Sequence, residues 1–498
     1  MNVNPITRLD YPDPDVIRVE DTYYMVSTTM HFMPGCEILQ SFDLVHWEHA
    51  TYVYETLDHT DAQQLKSGQN IYGQGMWAAS LRYHEGRFYI CFVANDTRKT
   101  YLYTSEKIDG PWKKQLIEGF YHDGSLLFDE DGRNYIVYGN DEIWITELNE
   151  DLTAPKKDGL HRLLVSDHKN PELGYEGSHI QKINGYYYIF LVHSLRDRWM
   201  RTEACFYSDS LEGEFTGGDV LCDDRGYCGQ GVAQGGIVDT PDGKWYAMLF
   251  QDSGAVGRIP ILVPVTWKDH FPFFGQNGHV PEEIEVHSTR PGYIYQPLVG
   301  SDDFCNGLLP RWQFNHDPDP RYYHLDALQG TYTITTREVC TELTQAVNTL
   351  TQRMSYPSCA AEVTVDASAL KEGDVAGLCA LQSCYAAVGI TKHHGKYEVL
   401  MLDKKEDGIL DMTEGTVVES HQMDFRLEAD FCNMKDEARC YYRVNKGDWL
   451  PIGTVHKLYF KLDHFTGCRF GLFCYAAEET GGSACFRDFK YYDVDEIS

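Results

Sequence analysis

Asp13, Asp123 and Glu176 are the residues of this 498-residue chain best suited to chemistry, because each opens a segment built to one plan. In each segment the carboxylate stands nine positions ahead of the second residue of a tight turn, at Thr22, Gly132 and Gly185. Trp77 and Gln234 hold the same place ahead of Gly86 and Gly243. If the five segments are structurally equivalent these side chains meet, and three like charges around one cavity raise at least one pKa. Such crowding suits acid–base hydrolysis of a glycosidic bond. An inverting reaction needs one protonated carboxyl for the leaving oxygen and one carboxylate, ~6.5–9.5 Å away, to activate water. The third acid can tune the donor and hold the sugar, with the Trp77 indole as an apolar wall.

The elements that must position these residues follow from the same repeat. Segments such as Trp77-Ala-Ala-Ser-Leu-Arg-Tyr-His-Glu-Gly86-Arg-Phe-Tyr-Ile run from an apolar stretch through a turn into an aromatic-rich strand. Successive first residues lie 64, 46, 53 and 58 positions apart, the length of a four-stranded blade with variable loops. Asp-Gly and Asn-Gly pairs supply the positive φ that two-residue hairpins need. The pattern predicts an all-β chain opening with a five-bladed β-propeller, its five first residues facing the axis at one height. After Trp267 the pattern changes, and Asp302-Asp-Phe opens a second series of alternating strands. The expected domains are a catalytic propeller over 1–300 and an accessory β-sandwich over 301–498, though the strand pattern does not separate sandwich from barrel.

Composition narrows the partners. With 75 Asp and Glu against 43 Lys and Arg, the net charge is −32 at pH 7, and 43% hydrophobic residues indicate a folded chain. A field of that sign repels polyphosphates, so no nucleic acid and no membrane surface is expected as partner. Residues 1–7 lack the basic start and apolar core of a secretory signal, and the expected location is cytoplasmic. The fifteen cysteines include no CxxC pair, and Cys91, Cys379 and Cys474 sit in apolar runs. They read as buried free thiols in a reducing compartment, without a structural zinc site.

Longer motifs carry a resemblance. Asn4-Pro-Ile, Tyr11-Pro-Asp-Pro-Asp-Val-Ile-Arg, Met33-Pro-Gly and Ser41-Phe-Asp-Leu-Val-His-Trp47 resemble the opening of family 43 glycoside hydrolases. Gly75-Met-Trp-Ala-Ala-Ser-Leu, His122-Asp-Gly-Ser-Leu, Glu176-Gly-Ser-His-Ile, Gly235-Gly-Ile-Val-Asp-Thr-Pro-Asp-Gly and Gly257-Arg-Ile-Pro follow in order. Beyond residue 301, Asp302-Asp-Phe, Arg311-Trp-Gln-Phe-Asn, Asn348-Thr-Leu-Thr-Gln-Arg and Ala376-Gly-Leu are similar to the β-xylosidase and α-L-arabinofuranosidase branch with its concanavalin-like β-sandwich. The resemblance implies that Asp13 is the general base, Glu176 the general acid and Asp123 the pKa modulator. It implies that Arg258 binds sugar hydroxyls, that Phe32 and Trp77 wall the −1 subsite, which holds the terminal sugar, and that Gln234 contacts substrate. Two departures stand out: Gln234 replaces a His found in many relatives, and Asp123-Gly-Ser replaces Asp-Pro-Ser. No cofactor is required; the resemblance leaves room for a structural calcium ion that no residue of this sequence supports.

Blander readings apply to several neighbours. Asp129, Glu130 and Asp131 read as a solvated hairpin turn, Asp15 lies outside the acid register, and Glu172 is the rival to Glu176. Tyr186, Tyr187 and Tyr188 read as packing between blades, Cys222 and Cys228 as a reduced loop, and His122 as a residue that only shapes its loop. Specificity is expected in residues 63–72 and 253–259. The whole points to an exo-acting, inverting glycosidase releasing terminal α-L-arabinofuranosyl residues from arabinoxylan-derived oligosaccharides, with β-D-xylosidase activity as the close alternative. A carbohydrate-binding propeller without chemistry is the competing class; it predicts a missing acid or base, and all three carboxylates are present. The oligomeric state is left open.

Overall fold

The computed structural model describes residues 2–493. The described residues form strands and turns, with four short 3-10 turns and no α-helix. Five four-stranded antiparallel sheets follow one another along the chain. Their first strands are Asp15–Val19, Met76–His84, Ser125–Phe128, Glu176–Ile183 and Ile237–Asp239. Each pairs with the next strand through the turn read from the repeat. At Glu85–Gly86 and Asn184–Gly185 both turn residues take positive φ, the geometry that matches strand twist. The third and fifth turns are longer than expected, because Asp129 and Thr240 close three-residue loops onto Arg133 and Lys244. Asp129 is also buried rather than solvated, since its carboxylate takes Lys182 Nζ at 2.6 Å. Tyr187 and Tyr188 pack in two different inter-blade cores, as the blander reading had it.

Side chains close the ring. Arg18 of the first blade pairs with Asp239 of the fifth at 2.6 Å, and the Asn4 amide exchanges hydrogen bonds with the Leu262 backbone at 2.8 and 3.1 Å. On the axis the Arg82 guanidinium bonds Asp15 Oδ2 at 2.8 Å, Ser125 Oγ at 2.7 Å, and the Leu126 and Ile180 carbonyls at 2.9 and 3.2 Å. One cation thus pins four blades. Asp15 is therefore a buried structural acid: burial alone would raise its pKa, but Arg82 and His179 hold it below the ordinary value.

The second half is a sandwich of a nine-stranded and a seven-stranded antiparallel sheet. Its core takes in Ala255, Val256 and Ile259 of the fifth blade. The nine-stranded sheet also annexes a strand from the propeller, Phe32–Met33, which pairs with Gln313–Asn315. Asp10 fastens the same seam, accepting the Arg258 and Gly467 amides at 2.7 and 2.8 Å.

Three histidines are buried where the two halves meet. The His31 ring lies 4.8 Å from His316 and 5.3 Å from His464, with Tyr72 4.9 Å away. Burial is the main cause that lowers all three pKa values, to about 3 for His316 and His464, and the neighbouring charges of the cluster add to it for His31 and His316. An unfolded histidine titrates at ~6.5, so the unfolded chain binds more protons than the native one below that pH. Stability is then complete above pH ~6.5 and is lost as the pH falls towards 3, by up to ~1.4 kcal/mol per pH unit for each histidine. His464→Asn is expected to reduce that slope by about one proton, read from urea unfolding between pH 7 and 5. An unchanged slope would show that this histidine is not held neutral.

Candidate active site

All five first residues of the repeat line one cavity of about 230 Å³. Backbone irregularity delivers them there. Asp13, Asp123 and Gln234 sit just ahead of their strands with φ of 52°, 49° and 63°, the left-handed region that few side chains adopt without cause. Trp77 and Glu176 sit instead at irregularities in strand pairing, between Trp77 and Ser80 and between Glu176 and His179. Bulges of this kind turn a side chain out of the regular alternation. Two local devices thus bring one register to one place.

Each carboxylate has its own setting. Asp13 accepts from Thr28 Oγ1 at 2.6 Å on one oxygen and from Arg258 Nη1 at 2.7 Å on the other. Asp123 accepts the Gly177 amide at 2.9 Å. Burial pushes Asp123 up to about 6; His122 opposes this, and the Glu176 and Asp13 charges add to it. Glu176 accepts Asn140 Nδ2 at 2.9 Å. Burial would raise its carboxyl, but His122, Arg201 and Arg258 together hold it below the usual value. The two settings thus push Asp123 up and Glu176 down.

Arg258 lines the cavity as expected, but it is also held in place, bonding Asp252 at 3.1 Å as well as Asp13. Gln234 keeps its side-chain oxygen free of protein partners, available to a hydroxyl, while its backbone N–H donates to the buried Glu203 carboxylate at 2.7 Å. Glu172 lies at the exposed rim, near Glu176 but outside the register. Phe32 is not where the resemblance put it. Its strand belongs to the sandwich sheet, and its ring lies under the Arg469 guanidinium at 3.4 Å, away from the cavity lining. Residues 63–72 and 253–259 likewise contribute only Arg258 to the lining, since Tyr72 joins the buried histidines and Ser253 and Ile259 face another cavity.

The wall expected of Phe32 is made by Phe465, carried on a sandwich loop. Its ring stands 5.0 Å from Trp77 and 3.6 Å from the Arg258 guanidinium carbon, and Leu462 accompanies it. The loop can approach because Gly467 lacks a Cβ, which would stand 1.9 Å from the Val256 carbonyl. Phe465→Ala is expected to raise KM about tenfold, through loss of ~1–2 kcal/mol of ring and cation–π contact, with a smaller change in kcat. Steady-state kinetics checks this, and an unchanged KM would remove Phe465 from the binding wall. Asn140, Trp199 and Arg201 also line the cavity without a signal in the repeat. Arg201 is the more telling of these: its Nε bonds Asp252 at 3.0 Å and its Nη1 has no protein partner.

Two places bear on metal binding. On the axis the oxygens of Asp15, Ser125, Leu126 and Ile180 already serve the Arg82 guanidinium, so this group of oxygens does not fit a calcium ion. Among the described residues, His122, Asp123 and Glu176 place one donor atom each within 4.8 Å of one another. Asp123 is the main cause that pushes His122 up to about 9, so at neutral pH a metal would have to displace the ring proton to bind there.

Acids delivered by separate blades to a cavity walled by aromatic rings are the apparatus of glycosidic hydrolysis, and the class is a propeller glycoside hydrolase. The family model for glycosyl hydrolases family 43 matches residues 3–272, and that for the beta xylosidase C-terminal concanavalin A-like domain matches 301–492. The chain belongs to glycosyl hydrolases family 43. A solved structure from Bacteroides eggerthii, described as a bifunctional GH43-CE protein, is 42% identical with a TM-score of 0.91; the match covers 100% of this chain and 64% of that one. This chain therefore spans less than two thirds of that protein's length. A beta-xylosidase of Formosa agariphila is 26% identical over 99% of this chain and 89% of its own. A non-reducing end alpha-L-arabinofuranosidase of Bacteroides ovatus is 24% identical over 82% and 79%.

Proposed function

We propose that the protein is an exo-acting, inverting glycosidase that removes terminal α-L-arabinofuranosyl residues from arabinoxylan-derived oligosaccharides, with β-D-xylosidase activity at the same site. The observation that carries this reading is the cavity itself. At about 230 Å³ it is smaller than the ~300–1,000 Å³ of drug-sized ligand sites, and a sandwich loop closes one side. Such a space suits the end of a chain rather than its middle. Asp13, anchored by Arg258 and Thr28, is the base that takes a proton from water. Glu176 gives a proton to the leaving oxygen, and Asp123 modulates the donor and orients the sugar. Trp77 and Phe465 form the apolar walls, and Gln234 and Arg201 meet hydroxyls.

β-Xylosidase as the main activity is the second reading, supported by the name of the Formosa agariphila relative and of the matched C-terminal domain. Initial rates on 4-nitrophenyl α-L-arabinofuranoside and β-D-xyloside, followed by defined arabinoxylo-oligosaccharides, decide between them. A higher kcat/KM on the xyloside would reverse the order, and no release from either would remove the proposal. The proposal also needs no calcium, because Arg82 supplies the positive charge on the axis. Treatment with EDTA is expected to leave kcat and the melting temperature unchanged; a loss restored by added calcium would contradict this.

A further inference from the structure

The proposed donor rests on the wrong side of its task. His122, Arg201 and Arg258 favour the ionised form of Glu176, whereas a general acid must begin each cycle with a proton. Inversion also leaves the proton inventory displaced. Each turnover puts a proton from water on Asp13 and takes one from Glu176, so Asp13 must then release a proton and Glu176 must regain one.

His122 stands where such a proton can be held. Its Nε2 lies 3.6 Å from Glu176 Oε2 and 3.5 Å from Asp123 Oδ2. That nitrogen is buried and makes no hydrogen bond within the protein, while the ring lines the cavity. The charged groups around the same cavity are Asp123 beside it in the chain, Glu172, Glu176 and Arg201 from the fourth blade, Asp13 from the first and Arg258 from the fifth. Of these the two nearest are both carboxylates, and one of them is the donor. The loop-shaping role first read for His122 does not account for a ring aimed between two acids.

We propose that His122 holds the proton that recharges Glu176. The Nε2–H bond breaks as the Glu176 O–H bond forms, leaving a neutral imidazole that regains a proton from solvent at the cavity mouth. Asp13 returns to solvent the proton it took from water, so the cycle closes without a co-reactant. His122 acts through Glu176 and is a positioning and proton-holding residue. The inference rests on the reading of Glu176 as the general acid.

While the imidazole is protonated, the His122–Glu176 pair keeps one proton to offer, up to the pH of about 9 at which His122 loses it. Without the imidazole, Glu176 alone must hold that proton. The experiment measures kcat/KM against pH for His122→Phe and His122→Gln. It uses an unactivated oligosaccharide, which needs protonation of its leaving group, and a 2,4-dinitrophenyl glycoside of the same sugar, which does not. On the oligosaccharide the basic limb is expected to move down by about one pH unit or more, with about a tenfold loss at pH 8. Rates on the dinitrophenyl glycoside should stay within about twofold. An unmoved limb, a limb shifted upward as for a fixed cation, or equal losses on both substrates would each overturn the proposal. If the Phe variant fails to fold, as judged by its melting curve, the Gln variant carries the same test. Glu176→Gln on the same pair separates the two failures. Equal loss on both substrates there removes Glu176 as the acid. A loss confined to the oligosaccharide, with His122 variants tracking the parent, removes only the role of His122.

Discussion

Asp13→Asn is expected to lower kcat by about three to four orders of magnitude on every substrate, whatever its leaving group. Asparagine keeps the size of the side chain but cannot accept a proton from water. The two donors to Asp13, Thr28 and Arg258, arrive on different oxygens and leave the carboxylate's remaining lone pairs for a water molecule. The substitution should spare the fold, because Arg258 retains Asp252 and Thr28 Oγ1 also accepts the Ala78 amide. Kinetics on aryl glycosides with good and poor leaving groups, together with a melting curve, reads both halves of this expectation. A loss below about tenfold would mean that another group activates the water.

Glu176→Gln should produce the opposite dependence on leaving group. On an oligosaccharide, whose leaving alkoxide must be protonated, a loss of about 10³-fold is expected; on a 2,4-dinitrophenyl glycoside the loss should be about tenfold or less. Glu176 reaches the cavity from an irregularity in the first strand of the fourth blade, and Asn140 Nδ2 holds its Oε2. Glu172 is the acid able to substitute, being at the rim of the same cavity, yet its side chain is exposed and outside the register. A Glu176 variant that kept full activity on oligosaccharides would transfer the role to Glu172.

The sequence disclosed this site unevenly, for physical reasons. A register repeated five times reports positions that are equivalent within the blades, so Asp13, Trp77, Asp123, Glu176 and Gln234 were found together. It says nothing of how each residue leaves its strand, which the structure solves with left-handed residues in three blades and pairing irregularities in two. Asn140 and Arg201 lie at ends of other blade strands, which follow no repeat. Phe465 comes from the other domain, and the sequence feature that permits its approach, Gly467, has meaning only once Val256 is known to face it. Phe32 was placed at the wall by the resemblance alone, whereas its strand completes the sandwich sheet. Asp129 was misjudged because an acidic run at a turn resembles a solvated one until Lys182 is seen across the blade boundary.

In the proposed mechanism, acids on the first and fourth blades act on one sugar from two sides, with Asp13 delivering water opposite the leaving group protonated by Glu176. Proton NMR of the reaction as it starts reads this directly, through the anomeric signal of the first sugar released before mutarotation. The proposed mechanism gives a product of inverted configuration. A first product that retains the configuration of the substrate would require a covalent intermediate and contradict it.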